Sequence, residues 1–198
     1  MNGVWAVVTA ACVTMLAAGW GVPPAPVRGA GDPRDAEAVR ALVRGDPAAG
    51  TALPPDLPDR VGTRDGLLVR ADGDCSSPIG GTAYGFTDVC AGHDLGYDVL
   101  RHAAGRGDPL PGWARRALDD RFAAGLAARC ARVRSGLPCA VLAASYVAVV
   151  RVNTVRQGGG APLTENPVRW VVAALAGGCV GLAVRRPADP VATPGPVR

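Results

Sequence analysis

The stretch Cys90-Ala91-Gly92-His93-Asp94-Leu95-Gly96-Tyr97, read with Cys75 upstream, decides the fold. It lies in a helical run predicted from about Thr87 to Ala104 and ended by Gly105 and Gly107. His93 follows Cys90 by one short helical step, which places the two on the same face. A disulfide at Cys90 fixes the backbone that carries the imidazole. Asp94 points about 100° away around the helix. It cannot share that face with His93, but it can hold something beside it. The loop Asp72-Gly73-Asp74 before Cys75 offers further carboxylates, and its glycine lets backbone carbonyls turn inward. Oxygen donors of this kind suit a hard cation, with calcium the natural candidate on Asp72, Asp74 and Asp94.

The chemistry follows from the residue types. A neutral histidine near its own pKa is a suitable general base for water. A calcium ion beside it polarises an ester carbonyl and stabilises the oxyanion. Such a histidine needs its other nitrogen held by an acceptor, usually a carboxylate, and Asp119 and Asp120 on the next helix offer one.

Outward from this stretch the pattern stays helical. Arg34 to Val43 reads as a short amphipathic helix opened by Asp32-Pro33, and Pro54, Pro55 and Pro58 mark a loop. A second long helix runs from Pro111 to about Arg134, with Leu118, Phe122, Leu126 and Val133 on or near one face. A third runs from Leu137 to about Arg156 and stops at Gly158-Gly159-Gly160. No alternating strands and no internal repeat are evident. The short connection from Gly105 to Pro111 favours antiparallel neighbours. Cys75, Cys90, Cys130 and Cys139 allow three pairings, of which Cys75–Cys90 with Cys130–Cys139 is the simplest. A zinc site on Cys75, Cys90, His93 and His102 matches no familiar spacing and would strand two cysteines.

The ends read differently. Residues 1–30 hold an apolar run from Val4 to Trp20 and then a Pro-rich segment, as in a signal peptide or N-terminal anchor. Residues 31–160 form the expected domain. Residues 168–186 read as a transmembrane or core helix, with Trp170 at one boundary and Arg185-Arg186 at the other. Its uncharged run of 15 residues, Trp170 to Val184, is short for a bilayer. Residues 187–198 read as a disordered tail. All 21 cations are arginine, and the net charge of +4 does not favour a nucleic-acid partner. A hydrophobic share of 48% excludes a mainly disordered chain, and 5% aromatics leave the core to Ala, Val and Leu.

Cys75…Cys90-x-x-His93-Asp94-Leu95-Gly96-Tyr97 resembles the signature C-x-x-H-D-[FL]-G-Y of the secreted bacterial and fungal phospholipase A2 family. The resemblance covers about Leu67 to Arg151. It implies that His93 activates a water, that Asp94 binds calcium and that the loop before Cys75 adds a carboxylate and a carbonyl. It implies that an aspartate eleven residues before Cys130, Asp119, orients the histidine. The same two near-neighbour disulfides are implied, and Phe122 falls at a usual aromatic position.

Fold and function follow as expectations. The fold is all-α, a small disulfide-bonded helical bundle with two long antiparallel helices, flanked by the signal-like segment and the C-terminal apolar helix. The function is calcium-dependent hydrolysis of the sn-2 ester of glycerophospholipids by an exported protein, secreted or tethered to the outer face of the cell membrane. Its partner is a phospholipid membrane or micelle surface, and it acts as a monomer without nucleic acid. The alternative is a non-catalytic, membrane-tethered binding module with a degenerate ion site. Three positions depart from the family pattern. Gly73 stands where the loop aspartate is usual, Leu100 replaces a second aromatic, and Asp98 replaces a basic or polar residue. Asp98 and His102 are both expected on the solvated side of the helix.

Overall fold

The structure, a computed structural model, describes residues 30–57, 60–75, 84–133 and 136–163. These belong to one compact unit, Pro23–Leu163. The signal-like segment, the 168–186 helix and the 187–198 tail lie outside the described residues.

Helix α1 (Pro33–Arg44) begins where Asp32 accepts the Arg34 amide at 2.8 Å and ends at Gly45, whose φ of 68° suits a left-handed cap. It buries Ala36, Ala38, Val39, Ala41 and Leu42. A 3-10 turn, Pro47–Ala52, repeats the Asp-Pro opening, with Asp46 accepting the Ala48 amide at 2.8 Å.

The expectation of an all-α chain is corrected at the next segment. Strands β1 (Val61–Arg64) and β2 (Leu67–Arg70) form an antiparallel hairpin, so the described fold is mostly helical with a small two-stranded sheet. Asp65 and Gly66 occupy the turn with φ of 49° and 75°. Both values are left-handed, as a two-residue turn of this twist demands. Val69 is wholly buried under the sheet, whereas Leu67 is exposed.

Helices α2 (Thr87–Gly105) and α3 (Gly112–Cys130) run antiparallel. The contacts show it: Arg129 meets Asp88 at 2.8 Å, Asp119 meets His93 at 3.0 Å, and Arg115 meets Tyr97 at 3.2 Å. Their close approach depends on glycine. A Cβ on Gly125 would stand 2.8 Å from Val89 Cγ1, and one on Gly96 would collide with the Leu118 side chain. Helix α4 (Gly136–Arg156) packs back on α3 and is tied to its end by Cys130–Cys139. The second disulfide, Cys75–Cys90, ties the loop after β2 to the first turn of α2. Both expected pairings are present.

The interior has two parts. Val39, Leu95, Val99 and Leu118 anchor one between α1, α2 and α3. Phe86, Phe122, Leu126 and the two disulfides form the other, against α4. Arginines brace the rim. Arg106 at the end of α2 donates to Asp32 at 2.9 Å and to Asp35 at 2.6 Å, locking α1 to α2.

Candidate active site

His93 stands at the middle of α2, with its side chain only 8% exposed. Its ring lies between Tyr97 and Phe122, at centroid distances of 4.0 and 4.8 Å. Those two aromatics fix the imidazole plane. Its Nε2 lies 3.0 Å from Asp119 Oδ1.

Asp119 is buried on α3 and gathers partners from the two helices on either side, α2 and α4. Tyr97 Oη donates to Oδ1 at 2.8 Å, and Thr154 Oγ1, on α4, donates to Oδ2 at 2.6 Å. Burial pushes this carboxyl up. The hydrogen bonds from His93, Thr154 and Tyr97 more than offset it and hold the carboxyl below the usual range. Asp119 is therefore an ionised acceptor at neutral pH. The network then places the His93 proton on Nε2 and leaves the Nδ1 lone pair to accept another. Burial raises the Tyr97 phenol to about 12 despite the nearby Arg115 guanidinium, so it stays a donor.

Arg115 extends the network. It is 1% exposed, donates from Nε to Tyr97 Oη at 3.2 Å, and reaches Gln157 Oε1 at 2.9 Å and the Gly160 carbonyl at 3.0 Å through Nη1. Its Nη2 is buried and makes no hydrogen bond to the described residues. This guanidinium is linked to Asp119 through the Tyr97 hydroxyl.

A cavity of about 290 Å³ opens beside His93. Leu42, Leu68, Val89, Leu118 and Phe122 give it an apolar lining, and Asp88 and Arg121 are among its polar groups.

The expected metal ligands are not drawn together. Asp72 is 69% exposed and forms a bidentate pair with Arg70, at 2.7 and 3.1 Å. Asp74 accepts the Cys75 amide at 2.7 Å. Gly73, between them, is buried, and a Cβ there would meet the Ala91 backbone at 2.8 Å. The glycine at the usual aspartate position is thus a packing requirement of this loop against α2. Asp94 lies apart from both in character. Burial raises its carboxyl, and the compensating influences are charges (His93, Arg70, Arg101) rather than hydrogen bonds. Among the described residues no group of three or more His, Cys, Asp or Glu is placed to hold a metal.

Other expectations are corrected. Asp120 pairs with Arg151 at 3.1 Å rather than with His93. Asp98 is 4% exposed rather than solvated, held by Arg101 at 2.9 Å with Arg70 at 3.7 Å. His102 is also drawn in, with Nδ1 2.9 Å from Asp56 Oδ2. The disulfide at Cys75–Cys90 and this pairing of His102 dispose of the zinc arrangement. Sequence reasoning missed Thr154, Arg115 and Gln157. The available signal was weak: a threonine near the end of the apolar α4 run, followed by an amide just past it.

No protein-family model matches the chain, and neither a curated relative nor a solved structure matches it.

Proposed function

We propose that this chain is an exported phospholipase A2-type hydrolase that cleaves the sn-2 ester of glycerophospholipids. The observation that carries the reading is the His93–Asp119 pair, 3.0 Å apart, with His93 on the wall of a largely apolar cavity and Asp119 buried behind it. Both partners come from the stretch that resembles the family.

The reaction uses the groups as they stand. His93 Nδ1 takes a proton from water as the water oxygen attacks the ester carbonyl carbon, and the carbonyl π pair moves to oxygen. Collapse of that intermediate expels the glycerol oxygen, which takes the proton back from Nδ1. The products are a free fatty acid and a lysophospholipid. Asp119 keeps the tautomer fixed and stabilises the imidazolium formed between the two steps. Tyr97 and Thr154 keep the Asp119 lone pairs aimed. The apolar lining suits an acyl chain.

Calcium dependence is part of the proposal and rests on Asp94, the half-buried carboxylate that follows His93 on α2. A calcium ion held there would supply charge stabilisation to an ester carbonyl oxygen. The Arg70–Asp72 pair removes Asp72 from that role, and this favours the second reading, a non-catalytic binding module with a degenerate ion site. The two disulfides support export to an oxidising compartment. The phospholipid surface as partner and the monomeric state belong to the same proposal.

The test is fatty-acid release from phospholipid mixed micelles, with calcium and with chelator. Release that chelator abolishes supports the whole reading. Release that ignores chelator removes calcium and keeps the hydrolase. No release in either condition leaves the binding module.

A further inference from the structure

Helix α4 is apolar on two faces, and the described domain covers one. The inner face sets Cys139, Ala143 and Thr154 against α3. On the outer face Leu137, Val141, Ala144, Ala148, Val152 and Val155 follow one another at steps of three or four residues, and all six are exposed. Leu137, Val141, Val152 and Val155 are 76%, 60%, 50% and 73% exposed. At 1.5 Å per residue this line runs for about 27 Å. Ser145 does not interrupt it with an unmet donor, because its hydroxyl is bonded to the Val141 carbonyl at 3.0 Å. The helix is long and apolar enough to cross a membrane, with a mean hydropathy of 1.5, yet only 17% of its most apolar stretch is buried. A helix apolar all round is normally covered on every side.

We propose that this outer face seats the domain on an anionic lipid surface, with α4 lying in the plane of the headgroup–acyl boundary. Charge is the first argument. Helix α4 contains no Asp or Glu, Arg151 and Arg156 stand at the edges of the stripe, and exposed Arg132 lies just before the helix. Arginines rimming an apolar stripe are the pattern of a helix at headgroup depth, where stems lie along the acyl boundary and guanidinium groups meet phosphates. The Arg151–Asp120 pair, exposed on both sides, holds Arg151 only weakly against such a phosphate.

Orientation is the second argument. The Thr154–Asp119 bond and the Cys130–Cys139 bridge hold α4 along α3, so it lies beside the domain rather than projecting from it.

The proposal does not require ester hydrolysis, and ether-linked lipids separate the two. The full chain carries Cys12→Ser, Cys179→Ser and Ala148→Cys, with a nitroxide on Cys at that position. It is mixed with vesicles of ether-linked phosphatidylglycerol and phosphatidylcholine in equal parts. On binding, oxygen accessibility of the label rises and accessibility to a water-soluble nickel chelate falls, each severalfold. In the unlabelled full chain, Val141→Asp with Val152→Asp, both at exposed positions, weakens vesicle binding by about tenfold or more. Pure phosphatidylcholine vesicles bind more weakly than the anionic mixture. A label that stays water-accessible in the bound chain overturns the proposal, since another part then holds the membrane. So does a label shielded before vesicles are added: doubled mass then points to a second copy, and unchanged mass to cover from the chain itself. Equal affinity for neutral and anionic vesicles, or no binding, overturns it as well.

Discussion

Asp119 is an acceptor shared by His93, Tyr97 and Thr154, so the proposed base and its supports can be tested separately. His93→Ala is expected to abolish ester hydrolysis, and Asp119→Asn to lower it by about 10² to 10⁴; fatty-acid release assays on folded variants check both. Thr154→Val removes one bond to the carboxylate without changing the base. It should lower kcat about tenfold with little change in KM, and Thr154→Ser should restore it. Tyr97 carries a pH signature. Its phenol titrates near 10 in the unfolded chain and at about 12 in the fold, so its contribution is whole below pH 10 and is lost as pH rises towards 12. That loss amounts to about 3 kcal/mol once both states are ionised. The chain has no lysine, so no ammonium group titrates in that window. Urea unfolding between pH 9 and 11 should show the decline in the wild type and a flatter profile in Tyr97→Phe. At this scale Asp119 was legible by its distance from Cys130. Thr154 and Arg115 were not, because their partners are set by how α4 lands on α3.

Among the elements, the helices were legible because the apolar spacing, the Asp-Pro openings and the glycine stops agree. Helix α3 ended earlier than the apolar pattern suggested, at Cys130 rather than Arg134, where the bridge to Cys139 turns the chain. The hairpin was missed for a physical reason. Its strands are four residues each, too short for alternation to stand out, and only Val69 is fully buried. The readable signal was Asp65-Gly66 between two four-residue runs, of which only the second, Leu67-Leu68-Val69-Arg70, is mostly apolar. The loop after it was misjudged in a second way. Gly73 looked like a displaced ligand position, whereas it is where the chain passes against Ala91 with no room for a side chain. Restoring the family pattern with Gly73→Asp should therefore not build a better cation site. It should cost at least 1–3 kcal/mol of stability by overpacking, which thermal or urea unfolding measures directly.

For the whole molecule, the two disulfides close loops with sequence separations of 15 and 9. By chain-entropy arguments each stabilises by roughly 2–3 kcal/mol. Reduction is expected to lower the unfolding midpoint. Losing Cys75–Cys90 should harm activity beyond its effect on stability, because that bridge anchors the turn leading to His93. Comparing Cys75→Ser/Cys90→Ser with Cys130→Ser/Cys139→Ser at matched fraction folded tests this. The rest of the assembly is braced by guanidinium groups: Arg106 across α1 and α2, Arg129 to Asp88, Arg115 inside the site. With no lysine among its 21 cations, the chain offers acylating reagents a single amine, the one at its N-terminus. A dye, a polymer or a solid support attached through amine chemistry therefore couples at one defined point and leaves every one of these braces untouched.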